Sequence, residues 1–135
     1  MNYFEAMPQR RMNISSESAF EASVGYSRAV RTGRFVAVAG TTGAGADIAA
    51  QTRDALHRID VALREAGGSL SDVVRTRMFV TDISLWREVG AVHAEFFGEI
   101  KPVTTMVEVA ALIAPELLVE IEADAYIDDP GDPID

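Results

Sequence analysis

The sequence predicts an α+β domain, a ββαβαββ mixed sheet with two helices packed on one face. Three observations carry this. Residues 28 to 40, RAVRTGRFVAVAG, hold two β-type runs around Thr32-Gly33. A long stretch from Ile48 to Ala66 repeats apolar or small residues with helical spacing. The segment from Leu117 to Ile127 alternates Val119, Ile121, Ala123 and Ala125 with Glu120, Glu122, Asp124 and Tyr126. Period 2 marks a strand with one buried face, and period 3.6 marks a helix with one buried stripe.

In chain order, Gly33 supplies the backbone freedom of a tight hairpin between the first two strands. The glycine-rich loop GTTGAGAD follows, with Asp47 placed to cap the helix behind it. That helix carries Ile48, Thr52, Ala55, Leu56, Ile59, Ala62, Leu63 and Ala66 on one stripe and stops at Gly67-Gly68. DVVRTRMFVTD reads as the next strand, with Val74, Thr76, Met78 and Val80 on one face and Val73, Arg75, Arg77 and Phe79 on the other. A second helix starts near Ser84, turns Leu85, Val89, Val92, Phe96 and Phe97 inward, and ends before Pro102. Val103 to Ala111 and Leu117 to Ile127 form the last two strands around the turn-like IAPE.

Two helices cover only one face of such a sheet. With the apolar sides facing the helices, the open face gathers Arg75, Arg77, Thr104, Met106, Glu108, Glu120 and Glu122. Two readings stand: a solvated face with cross-strand ion pairs, or a subunit interface enclosing a polar cleft.

Length and charge bound the function. A chain of 135 residues suits one domain, here 1–135, with residues 1–20 as an N-terminal extension and 128–135 as a flexible acidic tail. The absence of cysteine excludes disulfides and thiolate chemistry. No apolar run has signal-peptide or membrane-spanning length, so the expected location is the cytoplasm and no membrane partner is expected. A net charge of −9 opposes phosphate backbones, so nucleic acid is not the expected partner.

Motifs exclude further chemistry. GTTGAGAD lacks the lysine of a phosphate-binding loop. His57 and His93 lie on different helices without companion ligands, so no metal is expected. His93 and Trp86 read as packing residues, and Arg28, Arg31 and Arg34 as a solvated basic hairpin. No nucleophile elbow is present. Glu120 and Glu122 share a strand face, which by itself is common on exposed strands.

Taken together, GYSRAV, VAGTTG, AQTRDALHRIDVALREAGGSLSDVVRTRMFVTD, AEFFGEIKP, MVEVAAL and LVEIEADA resemble the Rid family, the reactive-intermediate deaminases also described as L-PSP-like endoribonucleases. The resemblance spans most of the chain. It implies a homotrimer of chorismate-mutase-like subunits with three clefts between neighbours. Typical members hydrolyse enamines and imines released by pyridoxal-phosphate enzymes, without metal or cofactor, and an arginine on the penultimate strand clamps the substrate carboxylate.

Two departures qualify the resemblance. KPVTTMVEV places Thr104 at the clamp position, and Gly90 stands where deaminating members often carry asparagine. Tyr26, Gly40 and Glu120 are retained. The resemblance therefore implies a cleft with Glu120 positioning water and Tyr26 orienting the ligand. Gly40, Thr41, Gly90, Thr104, Thr105 and Met106 are its expected ligand-binding positions. Loss of a bidentate clamp removes about 1.5–3 kcal/mol of carboxylate binding, which makes 2-aminoacrylate a poor substrate. The expected function is binding of a small carbonyl or imine metabolite, with hydrolysis by water attack. A non-catalytic metabolite-binding or sensing protein is the alternative, and ribonuclease activity ranks third. Arg28 and Arg77 are the two cations open as replacements for the clamp.

Overall fold

Alternation in the last strand buries Val119, Ile121, Ala123 and Ala125 almost completely and leaves their neighbours facing away from the helices. That strand is the centre of the fold. The computed structural model describes residues 11–128. Its elements are β1 (Arg11–Ile14), α1 (Ala19–Val24), β2 (Ala29–Thr32), β3 (Phe35–Thr41), α2 (Ile48–Glu65), β4 (Val73–Val80), α3 (Trp86–Phe97), β5 (Val103–Glu108) and β6 (Val119–Tyr126). The sheet order is β1-β2-β3-β6-β4-β5, with β4 and β5 parallel and every other pair antiparallel.

The predicted α+β class, hairpin, helices and mixed sheet are all present. Gly33 turns the β2–β3 hairpin at φ +62°. Asp47 caps α2, its Oδ1 accepting from the Ala50 N–H at 2.8 Å. The buried stripe of α2 runs through Ile48, Thr52, Ala55, Leu56, Ile59, Ala62 and Leu63. Arg31 Nη1 donates to the Ala66 carbonyl at 2.8 Å, satisfying an oxygen at the end of the helix. Before α3 a 3₁₀ turn covers Ile83–Leu85, with Asp82 accepting from the Ser84 N–H at 3.0 Å. Val89, Val92 and Phe97 of α3 are buried, and Leu85 and Phe96 pack at the edge of the same core.

Four details differ from the sequence reading. Residues 11–20, within the stretch set apart as an extension, supply β1 and the start of α1, while residues 1–10 lie outside the described residues. Of the predicted acidic tail only Asp128 falls within them. In β4, Val73 pairs with Ala125 and Arg75 with Asp124, so Val74 is the extra residue of a bulge. The phase slips there: Val73 is buried with Thr76, Met78 and Val80, whereas Val74 is 51% exposed.

The fourth difference concerns β5, which ends at Glu108 and runs parallel to β4 rather than beside β6. Its register sets Thr104 against Thr76 and Met106 against Met78. Thr104, Met106 and Glu108 therefore stand on the helix side of the sheet, opposite to the predicted open face. Met106 packs against the core, and Glu108 Oε1 accepts from the Ile83 N–H at 3.0 Å. The open face holds Arg75, Arg77, Glu120, Glu122 and Asp124. Arg77 Nη1 lies 3.3 Å from Glu122 Oε1 and 3.2 Å from Asp124 Oδ2, a cross-strand ion cluster.

Candidate functional site

A cleft of about 840 Å³ opens at the end of the sheet where β3 stops and β2 and β6 begin. Such a volume accommodates a small metabolite. Tyr26 and Arg28 enter it from the residues leading into β2, Gly40 and Thr41 from the end of β3, and Glu120 from the start of β6. Residues two apart on an extended chain share a side, which is why Tyr26 and Arg28 arrive together.

Arg28 organises the floor. Its Nη1 donates to the Gly40 carbonyl at 2.7 Å and to Thr41 Oγ1 at 3.0 Å, and its Nη2 reaches Tyr26 Oη at 3.4 Å. The guanidinium also lies over the Tyr26 ring, 5.6 Å from the centroid. These contacts fix the tyrosine and the strand end as one unit. Glu120 lies against Gly40 so closely that a Cβ there would come 2.9 Å from Glu120 Cδ and nearer still to Oε2. Only glycine leaves room for the carboxylate in this position.

Burial raises the pKa of Glu120 above its ordinary value, and the like charge of Glu122 adds to the rise, while Arg28 opposes it. The carboxyl is thus half-buried, close to a cation, and readier to hold a proton than a surface glutamate. A group so tuned can accept a proton from water and return it.

The structure brings Glu120, Tyr26, Gly40 and Thr41 together and leaves Gly90, Thr104, Thr105 and Met106 outside this cleft. Gly90 lies on α3 with only Trp86 Cε3, at 4.0 Å, near the position of a Cβ. Thr104 and Thr105 are exposed on β5. The Thr104 hydroxyl is engaged: Thr104 Oγ1 and buried Thr76 Oγ1 are 2.8 Å apart, and Thr76 Oγ1 is 2.9 Å from His93 Nε2. His93 stacks on Phe97 at 4.7 Å, and burial lowers its pKa. It is the packed, hydrogen-bonded histidine expected from sequence.

Sequence reasoning missed several cleft residues. The sequence reads Arg28 as part of a solvated hairpin and, with Arg77, as an open replacement for the clamp; of the two, Arg28 lines the cleft, as its two-residue spacing from Tyr26 allows. Val61 on α2, Phe20 and Val24 on α1, and Ile113 in the β5–β6 loop also line the cleft. The signal for α1 is Ser18-Ala-Phe-Glu21, an S-x-x-E pattern. Ser18 does cap the helix, but Glu21 turns instead to Ser16, whose hydroxyl and N–H both donate to it. Among the described residues no group of three or more His, Cys, Asp or Glu is placed to hold a metal, and no helix is long and apolar enough to cross a membrane.

A mixed sheet backed by helices on one face, with a cleft at its end, defines an α+β domain with a metabolite-sized site. The chain belongs to the Endoribonuclease L-PSP family, whose model matches residues 16–127, the Rid family that the sequence resembles. A crystal structure of a YjgF/YER057c/UK114 family member from Mycobacterium tuberculosis is 72% identical and superposes with a TM-score of 0.86 over 87% of this chain and 99% of that one. A RutC family protein from Pyrococcus abyssi is 37% identical over 121 residues, 84% of this chain and 94% of the relative. The 3-aminoacrylate deaminase RutC of Acinetobacter baylyi is 40% identical over 81 residues, 60% of this chain and 64% of its own length.

Proposed function

We propose that this protein is a cytoplasmic homotrimer that binds a small carbonyl or imine metabolite in clefts between subunits and hydrolyses its C=N bond without a cofactor. The observation that carries the reading is the Glu120 carboxyl, half-buried against Gly40 beside Tyr26 and Arg28. In this reading water adds to the carbon of the protonated imine as one of its protons passes to the Glu120 carboxylate, giving a carbinolamine. Glu120 returns that proton to the nitrogen, and as the C–N bond breaks with loss of ammonia the hydroxyl proton passes back to the Glu120 carboxylate, leaving the ketone. Tyr26 orients the ligand and the Gly40 N–H contributes a polar contact, while the buried Thr41 hydroxyl, which donates to the Ala39 carbonyl at 2.7 Å and accepts from Arg28 at 3.0 Å, supports the cleft floor.

Association is supported by the bare ion-paired sheet face and by the position of Thr104, Thr105 and Gly90. These lie outside the cleft within one chain, and the part that the resemblance implies for them requires a neighbouring copy to present them to it. The named activity of the Acinetobacter relative, 3-aminoacrylate deamination, supports chemistry of this general kind. With threonine at position 104, 2-aminoacrylate itself is a poor substrate. That same substitution favours a second reading, a non-catalytic metabolite-binding protein, because the Thr104 hydroxyl is already bonded to Thr76. Ribonuclease activity ranks last, given a net charge of −9.

The test is an imine-hydrolysis assay on the native protein and on Glu120→Gln, with a thermal-shift screen of carbonyl metabolites alongside. Hydrolysis that falls at least tenfold in Glu120→Gln supports the enzyme. Stabilisation by ligand without hydrolysis supports the binding protein, and neither response refutes both.

A further inference from the structure

Building on the proposed cleft, we infer that its ligand is an organic acid with a bulky apolar substituent, its carboxylate held by Arg28 and its substituent lying along α1 and α2. Arg28 has five N–H donors. Nη1 is committed to Gly40 and Thr41, Nη2 makes one long contact to Tyr26, and Nε makes none. Among the described residues no nitrogen of Arg28 is both fully buried and unpartnered, and the side chain lines the cleft, which leaves Nε for a ligand there. An Nε–Nη2 edge is the side-on face that binds a carboxylate with two parallel bonds.

The other cations are spent. Arg77 is held between Glu122 and Asp124, and Arg58, which also lines the cleft, pairs with Asp54 at 3.0 Å and donates to the Thr42 carbonyl at 3.2 Å. Glu65 and Glu116 contribute negative charge elsewhere along the lining, and Glu120, the carboxyl beside Arg28, is half-buried with its pKa raised, which favours its neutral form. The Arg28 side is therefore where an anion gains most.

The rest of the wall is apolar and exposed. Phe20 is 52% exposed, Val61 42% and Ile113 70%, and Val24 follows Phe20 by one turn on α1. Four apolar side chains converging on one polar pocket form a surface that water wets poorly and a hydrocarbon substituent would cover. A three- or four-carbon acid held at Arg28 leaves that wall uncovered, whereas an aromatic or branched substituent reaches it.

The probes are 2-oxo-3-phenylpropanoate, 2-oxobutanoate and the neutral 4-phenylbutan-2-one, titrated calorimetrically into the full-length protein. The phenyl acid should bind at least tenfold more tightly than either of the others. Val61→Ser and Phe20→Ser, both at exposed positions, should erase most of its advantage over 2-oxobutanoate. Arg28→Gln should weaken both acids at least tenfold more than it weakens the neutral ketone. Should Arg28→Gln fail to fold, the comparison of acid with neutral ketone on the native protein still decides the anchor. Equal affinity for phenyl acid and neutral ketone overturns the Arg28 anchor, and equal affinity for the two acids overturns the apolar wall, with the cleft reading intact in both cases. No binding of any carbonyl compound removes the cleft reading together with this inference.

Discussion

Gly40→Ala separates positioning from folding. Gly40 lies outside the left-handed region, so alanine suits its backbone. The added methyl would meet the Glu120 carboxylate, 2.9 Å from Cδ and closer to Oε2, whereas ordinary van der Waals contact needs about 3.4 Å or more. Cδ must therefore retreat by about half an ångström and the oxygen by more. Only the end of a flexible side chain moves, at a cost of about 0.5–1.5 kcal/mol for an off-rotamer torsion. Reduced freedom of the unfolded chain returns about 0.4–1 kcal/mol. Stability should change by less than about 1 kcal/mol, while displacement approaching an ångström lowers turnover by as much as about 100-fold. Thermal melts and the imine assay on the same preparation read both effects. A large fall in Tm would refute the argument by showing that Glu120 cannot move. Undiminished turnover would refute it by showing that the carboxylate position does not matter.

Other expectations follow from neighbouring residues. Thr104→Arg should be tolerated, because Thr104 is exposed and Thr76 keeps its bond to His93, and it should improve 2-oxobutanoate binding about tenfold or more in calorimetry. Gly90→Ala should stabilise α3 by about 0.5–1 kcal/mol in denaturant titration, since nothing lies closer than 4.0 Å to the new methyl. Glu122→Gln removes a like charge that raises the Glu120 pKa, so the acid limb of hydrolysis should shift to lower pH in a pH–rate profile. A carboxyl whose pKa is raised on folding binds its proton more tightly in the native state. Its contribution to stability is therefore lost as pH rises from 4.5 through the raised value, and Glu120→Gln should flatten that slope in pH-dependent unfolding.

The hairpin, α2, β4, α3 and the face of β6 were legible because each rests on a local pattern: Thr32-Gly33, the Ile48-to-Ala66 stripe, and the alternation beginning at Val119. What escaped was set between segments. The Val74 bulge reverses the phase of one strand end and depends on pairing with β6, which a single strand cannot announce. Thr104 was placed beside Glu120 because two strands around IAPE suggest neighbours, but the parallel pairing of β5 with β4 turns Thr104 toward Thr76. RMNI is too short and polar to show alternation, so β1 was passed over. Of the site, Tyr26, Gly40, Thr41 and Glu120 came from motif resemblance and meet in one cleft. The choice between Arg28 and Arg77 is not legible locally, because the place of Arg28 is set by Gly40 and Thr41, twelve and thirteen residues away.

The central claim is that the working site lies between copies of this chain, and solution mass tests it most directly. Light scattering on dilute native protein should give three times the chain mass of 14.6 kDa, constant across dilution. A stable, folded species of 14.6 kDa would contradict it, because Gly90, Thr104 and Thr105 would then have no cleft to complete.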